Sequence, residues 1–120
     1  MEFYNEEHKR YFEEMSQKKE LDVYNKAVVY LLGLTEETRK HTADVYNIER
    51  GEIEVEGLNK AWQTGTTGII CRLAFNLFNG YAGEIDEENP RAYTPESIFC
   101  RTSLAPYFYE AIKIRFNIEF

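Results

Sequence analysis

The sequence predicts a mainly α, compact single-domain bundle of five to six helices around a buried central helix at about 66–80, with room for a small two-stranded β element. Three observations carry this. Apolar side chains recur at i, i+4, i+7 over much of the chain, the stripe of amphipathic helices. Residues that cap helices stand where those stripes begin. The run from Ile69 to Phe78 is apolar nearly all round, as a helix is when it is buried on most sides. With 120 residues, 43% of them hydrophobic, and 8 Phe, 9 Tyr and 1 Trp, the chain can bury about two thirds of its unfolded surface in one core.

Tyr4, His8, Tyr11, Phe12 and Met15 form the first stripe, with Asn5 as cap and the Lys18-Lys19 pair at its end. Asp22 caps the second helix, whose stripe is Val23, Ala27, Tyr30, Leu31 and Leu34. Thr35, followed by two glutamates, opens a third helix that runs to about Asn47. The period then changes. "GEIEVEG" alternates charged and apolar residues between glycines, which predicts a short strand or extended loop. Leu58 to Gln63 reads as one helical turn carrying Trp62. Thr66 or Thr67 then caps the central helix, and Gly80 and Gly83 end it. Thr94 and Pro95 open the next helix as N-cap and first residue. Ser103 and Pro106 restart the last, which is read as helical to about Phe116. Ile112, Ile114, Phe116, Ile118 and Phe120 also alternate strictly, so a strand is the competing reading of the tail, with "EIEVE" as its partner.

Charge narrows the function classes. Twenty-one Asp and Glu against fourteen Lys and Arg give a net −7, which disfavours direct nucleic-acid binding, since that rests on neutralising phosphates. The acids are unevenly spread: Gly57 to Gly83 has none, while the flanking "ERGEIEVE" and "EIDEE" are dense with them. No apolar run approaches the roughly 18 residues of a membrane span, and no secretory signal is expected. Cys71 and Cys100 are too few for a disulfide scaffold, so a reduced, cytoplasmic protein is the simplest reading.

Two binding surfaces are candidates. On an extended strand Glu52, Glu54 and Glu56 would project from one face about 6.5–7 Å apart, comparable to the phosphate spacing of a nucleic-acid strand. With Glu49 and the acids Asp86, Glu87 and Glu88 they would offer a negative surface to a nucleic-acid-binding protein. Alternatively, Arg72, Asn76 and Asn79 make one polar stripe on the central helix and, with Trp62 and Gln63 at the rim, would line a pocket for a small ligand or nucleotide.

Weaker patterns rank below these. The Gly65-Thr66-Thr67-Gly68 elbow lacks the Lys of a phosphate-binding P-loop, since position 69 is Ile. It reads as a turn, a cap and a site of close packing. Glu37, His41 and Asp44 share a helix face, and His8 could complete a metal set, but no His-Glu-x-x-His pattern supports it. Cys71 is expected deep in the core and inert. No catalytic residue and no cofactor is expected.

"LNKAWQTGTTGIICRLAFNLFNG", "TPESIF" and "YFYEAIKIRF" resemble an uncharacterised family of short proteins of phages and mobile elements in low-GC Gram-positive bacteria. Its signature is the pairing of Trp62-Gln63-Thr64 with Ala74-Phe75-Asn76-Leu77. The resemblance implies no assigned activity, but it does imply a context in which small acidic proteins act as inhibitors or adaptors. The expectation is therefore a non-enzymatic interaction protein that binds a host or competing-element protein, as an anti-CRISPR or anti-restriction inhibitor does. Tyr81, Tyr93 and Tyr107 are its candidate aromatic anchors.

Overall fold

In the computed structural model, which describes residues 1–83 and 90–119, α1 (Glu6–Lys18) lies across α2 (Val23–Leu32). The Asn5 side chain accepts the His8 N–H at 2.8 Å and opens α1, and Asp22 does the same for Asn25 at 2.9 Å in α2. Each satisfies a donor that the first helical turn leaves without a partner.

The most enclosed helix is α2. Every residue from Ala27 to Leu32 is buried, because α2 packs on α1, α5 (Gly65–Asn79) and α7 (Ala105–Phe116) at once. The uncharged run "AVVYLLGL" suits a helix with no solvent face, and a fully buried Val, Leu or Ile contributes about 1.5–3 kcal/mol. Its terminal carbonyls are not left bare. The Thr38 hydroxyl donates to Leu32 O at 2.6 Å and the Arg39 Nη1 to Gly33 O at 2.8 Å. The predicted central helix, α5, is the second core helix. It buries Thr67, Gly68, Ile70, Cys71, Leu73, Ala74, Phe75 and Leu77 and leaves Asn76 and Asn79 exposed.

The helix predicted from Thr35 to Asn47 is broken. α3 (Glu36–Lys40) stops at His41, whose ψ of 24° leaves the helical region, and α4 (Thr42–Val45) makes one further turn. β1 (Tyr46–Asn47) then pairs antiparallel with β2 (Glu52–Ile53), Tyr46 opposite Ile53 and Asn47 opposite Glu52. The turn between them needs Gly51, at φ +61°. The partner of the "EI" strand is therefore this neighbouring segment and not the C-terminal tail. The tail is helical to Phe116, as read, and ends in Asn117 with a left-handed backbone.

A 3₁₀ turn (Val55–Asn59) leads to α5, whose cap is Thr64 and not Thr66 or Thr67. Thr64 and Thr67 exchange bonds, each side chain accepting the other's backbone N–H, and Gln63 Oε1 accepts the Thr67 hydroxyl at 2.7 Å. α6 (Pro95–Phe99) starts at the Thr94 cap as predicted. α7 is tied down by Arg115, whose Nε donates to Leu77 O at 2.6 Å while its guanidinium lies 3.8 Å over the Tyr24 ring.

Candidate functional site

The acidic hairpin is held from three sides. Tyr46 Oη donates to Asn25 Oδ1 at 2.6 Å, Lys19 Nζ to Glu49 O at 3.0 Å, and the backbone N–H of Glu54 to Val45 O at 2.8 Å. On this frame Glu49, Glu52 and Glu56 are exposed and Glu54 is half-buried. The expected single face does not extend to all three strand glutamates. The backbone is extended through Glu54 and then turns into the 3₁₀ segment at Val55, so Glu56 leaves the strand direction. Among the described residues the ion pair here is Arg50 with Glu52, at 3.9 Å with both side chains more than half exposed, a contact worth little in water. Asp86, Glu87 and Glu88 lie outside the described residues.

The polar-stripe pocket comes apart. Asn76 Nδ2 donates to Tyr81 O at 3.1 Å, and Asn79 Oδ1 accepts the Tyr81 N–H at 3.1 Å, so both serve the chain reversal after Gly80. Trp62 Nε1 donates to Asp44 Oδ2 at 2.9 Å, with its ring stacked on His41 at 4.7 Å. Gln63 Nε2 donates to Gly57 O at 3.0 Å and lies 3.6 Å from Cys71 Sγ. Trp62, Gln63, Asn76 and Asn79 are each held by bonds within the chain, and Arg72 has an interaction of its own. Periodicity placed Arg72, Asn76 and Asn79 on one face but could not show what faced them.

The metal set does not assemble either. His8 is fully buried on its own stripe, both ring nitrogens bonded to backbone. His41 Nδ1 is 3.9 Å from Asp44 on its own helical turn. Among the described residues, no group of three or more His, Cys, Asp and Glu side chains is placed to hold a metal ion. Cys71 is buried, and burial pushes its thiol up to about 11, far from the thiolate a nucleophile needs. Tyr81, Tyr93 and Tyr107 are half-buried in ring contacts, Tyr81 with Phe75 and Tyr93, Tyr107 with Tyr4. Among the described residues, the exposed rings are those of Tyr4, Tyr24, Tyr109 and Phe116.

One arrangement escaped the sequence. Arg72 of α5, Arg91 of the 3₁₀ turn Pro90–Tyr93 and Arg101 beyond α6 line a single cleft of about 670 Å³, with Gly65, Ile69, Ala92, Thr94, Pro95, Glu96 and Ser97. It includes none of Trp62, Gln63, Asn76 and Asn79. The available signals were the absence of acids between Gly57 and Gly83 and the Gly68-to-Arg72 spacing of one helical turn. Neither reveals that Arg91 and Arg101 line the same cleft as Arg72.

The profile of a family of unknown function (DUF6075) matches residues 1–120, and the chain belongs to that family. No curated protein and no solved structure matches it. Among the described residues no helix is long and apolar enough to cross a membrane.

Proposed function

We propose that this member of the DUF6075 family is a non-enzymatic binding protein of a phage or mobile element. On this reading it acts in the bacterial cytoplasm and inhibits a defence nuclease, of the CRISPR or restriction type, by stoichiometric contact. The observation that carries the reading is the hairpin. Its backbone is fixed by Asn25, Lys19 and Val45, while the carboxylates of Glu49, Glu52 and Glu56 stand in solvent. A preformed display loses little conformational freedom on binding, and a negative face complements the basic channel through which a nuclease holds its nucleic acid. The resemblance to mobile-element proteins supports the same context.

The test is a phage-plating and plasmid-interference panel in bacteria carrying single CRISPR or restriction systems, with and without the protein. The expected result is relief of one system and, with that nuclease purified, inhibition saturating at a fixed ratio and competing with DNA. Glu49/Glu52/Glu56→Gln should weaken it by about tenfold or more, as removal of interfacial charge does. Relief of no system in the panel would sink the reading, and inhibition unmoved by the glutamate changes would remove the hairpin from it.

A further inference from the structure

We propose that the cleft between α1 and the α3–α4 segment binds a small monocarboxylic acid with an apolar body, its carboxylate held by Arg39. The volume, about 460 Å³, falls within the roughly 300–1,000 Å³ of small-molecule sites. One wall is a single face of α1, from Tyr11 to Lys18, and the other is the i, i+3, i+4 row of Arg39, Thr42 and Ala43. The Tyr11 and Thr42 hydroxyls, 2.7 Å apart, tie one wall to the other. The cleft is therefore formed before a ligand arrives, which spares the cost of ordering it on binding. Tyr11, Met15, Ala43, Tyr46 and Ile48 make most of its lining apolar, and burial of an aryl ring or short alkyl chain against them favours binding.

Arg39 supplies the recognition. Its Nη1 donates to Gly33 O at 2.8 Å, which fixes the guanidinium against the end of α2. Among the described residues it makes no other hydrogen bond and no ion pair. The Nε–Nη2 edge is thus left over, and that edge is the fork that a carboxylate meets with two parallel bonds. Lys18 and Glu14, both exposed, are the other charged groups among the described lining residues. Two cations against one carboxylate leave one formal positive charge, which a monoanion balances and a polyphosphate exceeds.

The test is a ¹H–¹⁵N correlation titration of the full chain with phenylacetate, hexanoate, phenylacetamide and inorganic phosphate. Phenylacetate or hexanoate should bind with a dissociation constant of about 1 mM or below, weakening with salt. The shifts should concentrate at the amides of Tyr11, Met15, Thr42, Ala43 and Ile48. Phenylacetamide has the same shape without the charge and should bind about tenfold more weakly, the equivalent of one charge-assisted hydrogen bond. Phosphate, which lacks the apolar body, should bind more weakly too. Arg39→Lys keeps the charge but loses the fork and should cost about fivefold or more. Because Arg39 also holds Gly33 O, Ala43→Glu is the deciding variant. It leaves that bond intact, stands at an exposed position and should abolish binding with the melting transition retained. Glu14→Gln should tighten binding about twofold by lifting a repulsion. No saturable shift with either carboxylate at about 10 mM, binding no tighter than that of phenylacetamide or phosphate, or binding unmoved by Ala43→Glu overturns the proposal. Such a failure leaves the glutamate hairpin reading standing, since Glu49, Glu52 and Glu56 are not among the residues that line this cleft.

Discussion

The imidazole of His8 bridges two backbone segments: Nδ1 accepts the Tyr4 N–H at 3.0 Å and Nε2 donates to the Tyr30 carbonyl at 2.7 Å. An amide N–H can only donate and a carbonyl can only accept, which fixes the neutral tautomer with its proton on Nε2. The Tyr30 hydroxyl in turn donates to Glu2 O at 2.5 Å, and Phe3 packs edge-on against the His8 ring. The N-terminal segment is thus strapped to α2 through one uncharged ring.

Burial lowers the His8 pKa from 6.5 to about 4, with the nearby Arg39 charge acting in the same direction and the Tyr30 carbonyl opposing. The unfolded chain therefore binds the His8 proton first. The stabilising contribution of neutral His8 is complete above about pH 6.5 and is lost as pH falls toward 4. A lowering of that size corresponds to roughly 3 kcal/mol across that window. Urea unfolding between pH 4 and 7.5 should show this slope, and His8→Leu should flatten it. An unchanged slope in the variant would assign the pH dependence to other groups.

The Trp62–Asp44 bond joins the turn before α5 to α4, and the stacked His41 ring orders the indole. Asp44→Ala should destabilise the fold by about 1–3 kcal/mol, because it leaves the indole N–H without its acceptor. Asp44→Asn, which keeps an acceptor oxygen, should cost less. Trp62 is the sole tryptophan, so its fluorescence reports the contact directly, and an emission spectrum identical in wild type and Asp44→Ala would contradict it.

Gly57 and Gly65 should respond in opposite ways to alanine. A Cβ at Gly57 would collide with Asp44 O and Val45 Cγ1, while one at Gly65 meets nothing within 4 Å. A backbone oxygen cannot swing aside, so Gly57→Ala should cost about 3 kcal/mol or more. Gly65→Ala should be neutral or stabilise by up to about 1 kcal/mol, by restricting the unfolded chain. Thermal melts of the two variants decide it, and similar melting temperatures would mean that the 3₁₀ turn does not press on α4 as described.

The two thiols should differ in reactivity. Cys100 is exposed, whereas Cys71 is buried with its thiol pushed up to about 11. A disulfide reagent at pH 8 should therefore label one thiol per native chain promptly and the second only in denaturant. Prompt labelling of both would show that the α2–α5 core opens readily.

Local chemistry was legible wherever it was self-contained. Asn5, Asp22, Thr35 and Thr94 all cap the helices their positions predicted, because a cap bonds a backbone N–H three residues away. The cap of α5 was misplaced by two or three residues. "TGTT" offers three threonines, and the choice fell to Thr64 through Thr67 and the Gln63 side chain. The long third helix failed for a related reason. Nothing between Thr35 and Asn47 forbids a helix, but Tyr46 and Asn47 are committed to pairing with Glu52 and Ile53, and Trp62 lies against His41.

The sequence by itself determined the helical class, the positions of most caps, the burial of α5 and of Cys71, and the acidic "ERGEIEVE" segment. Each follows from periodicity or from bonds spanning three or four residues. Only the tertiary structure decided that α2 would be the most enclosed helix, that Trp62 would serve Asp44, that Asn76 and Asn79 would hold the turn after Gly80, and that Arg72 would share a cleft with Arg91 and Arg101. These are contacts between segments far apart in the chain or not read together from it. A side chain's periodicity sets the face it occupies, but the residue opposite is chosen by how the helices cross.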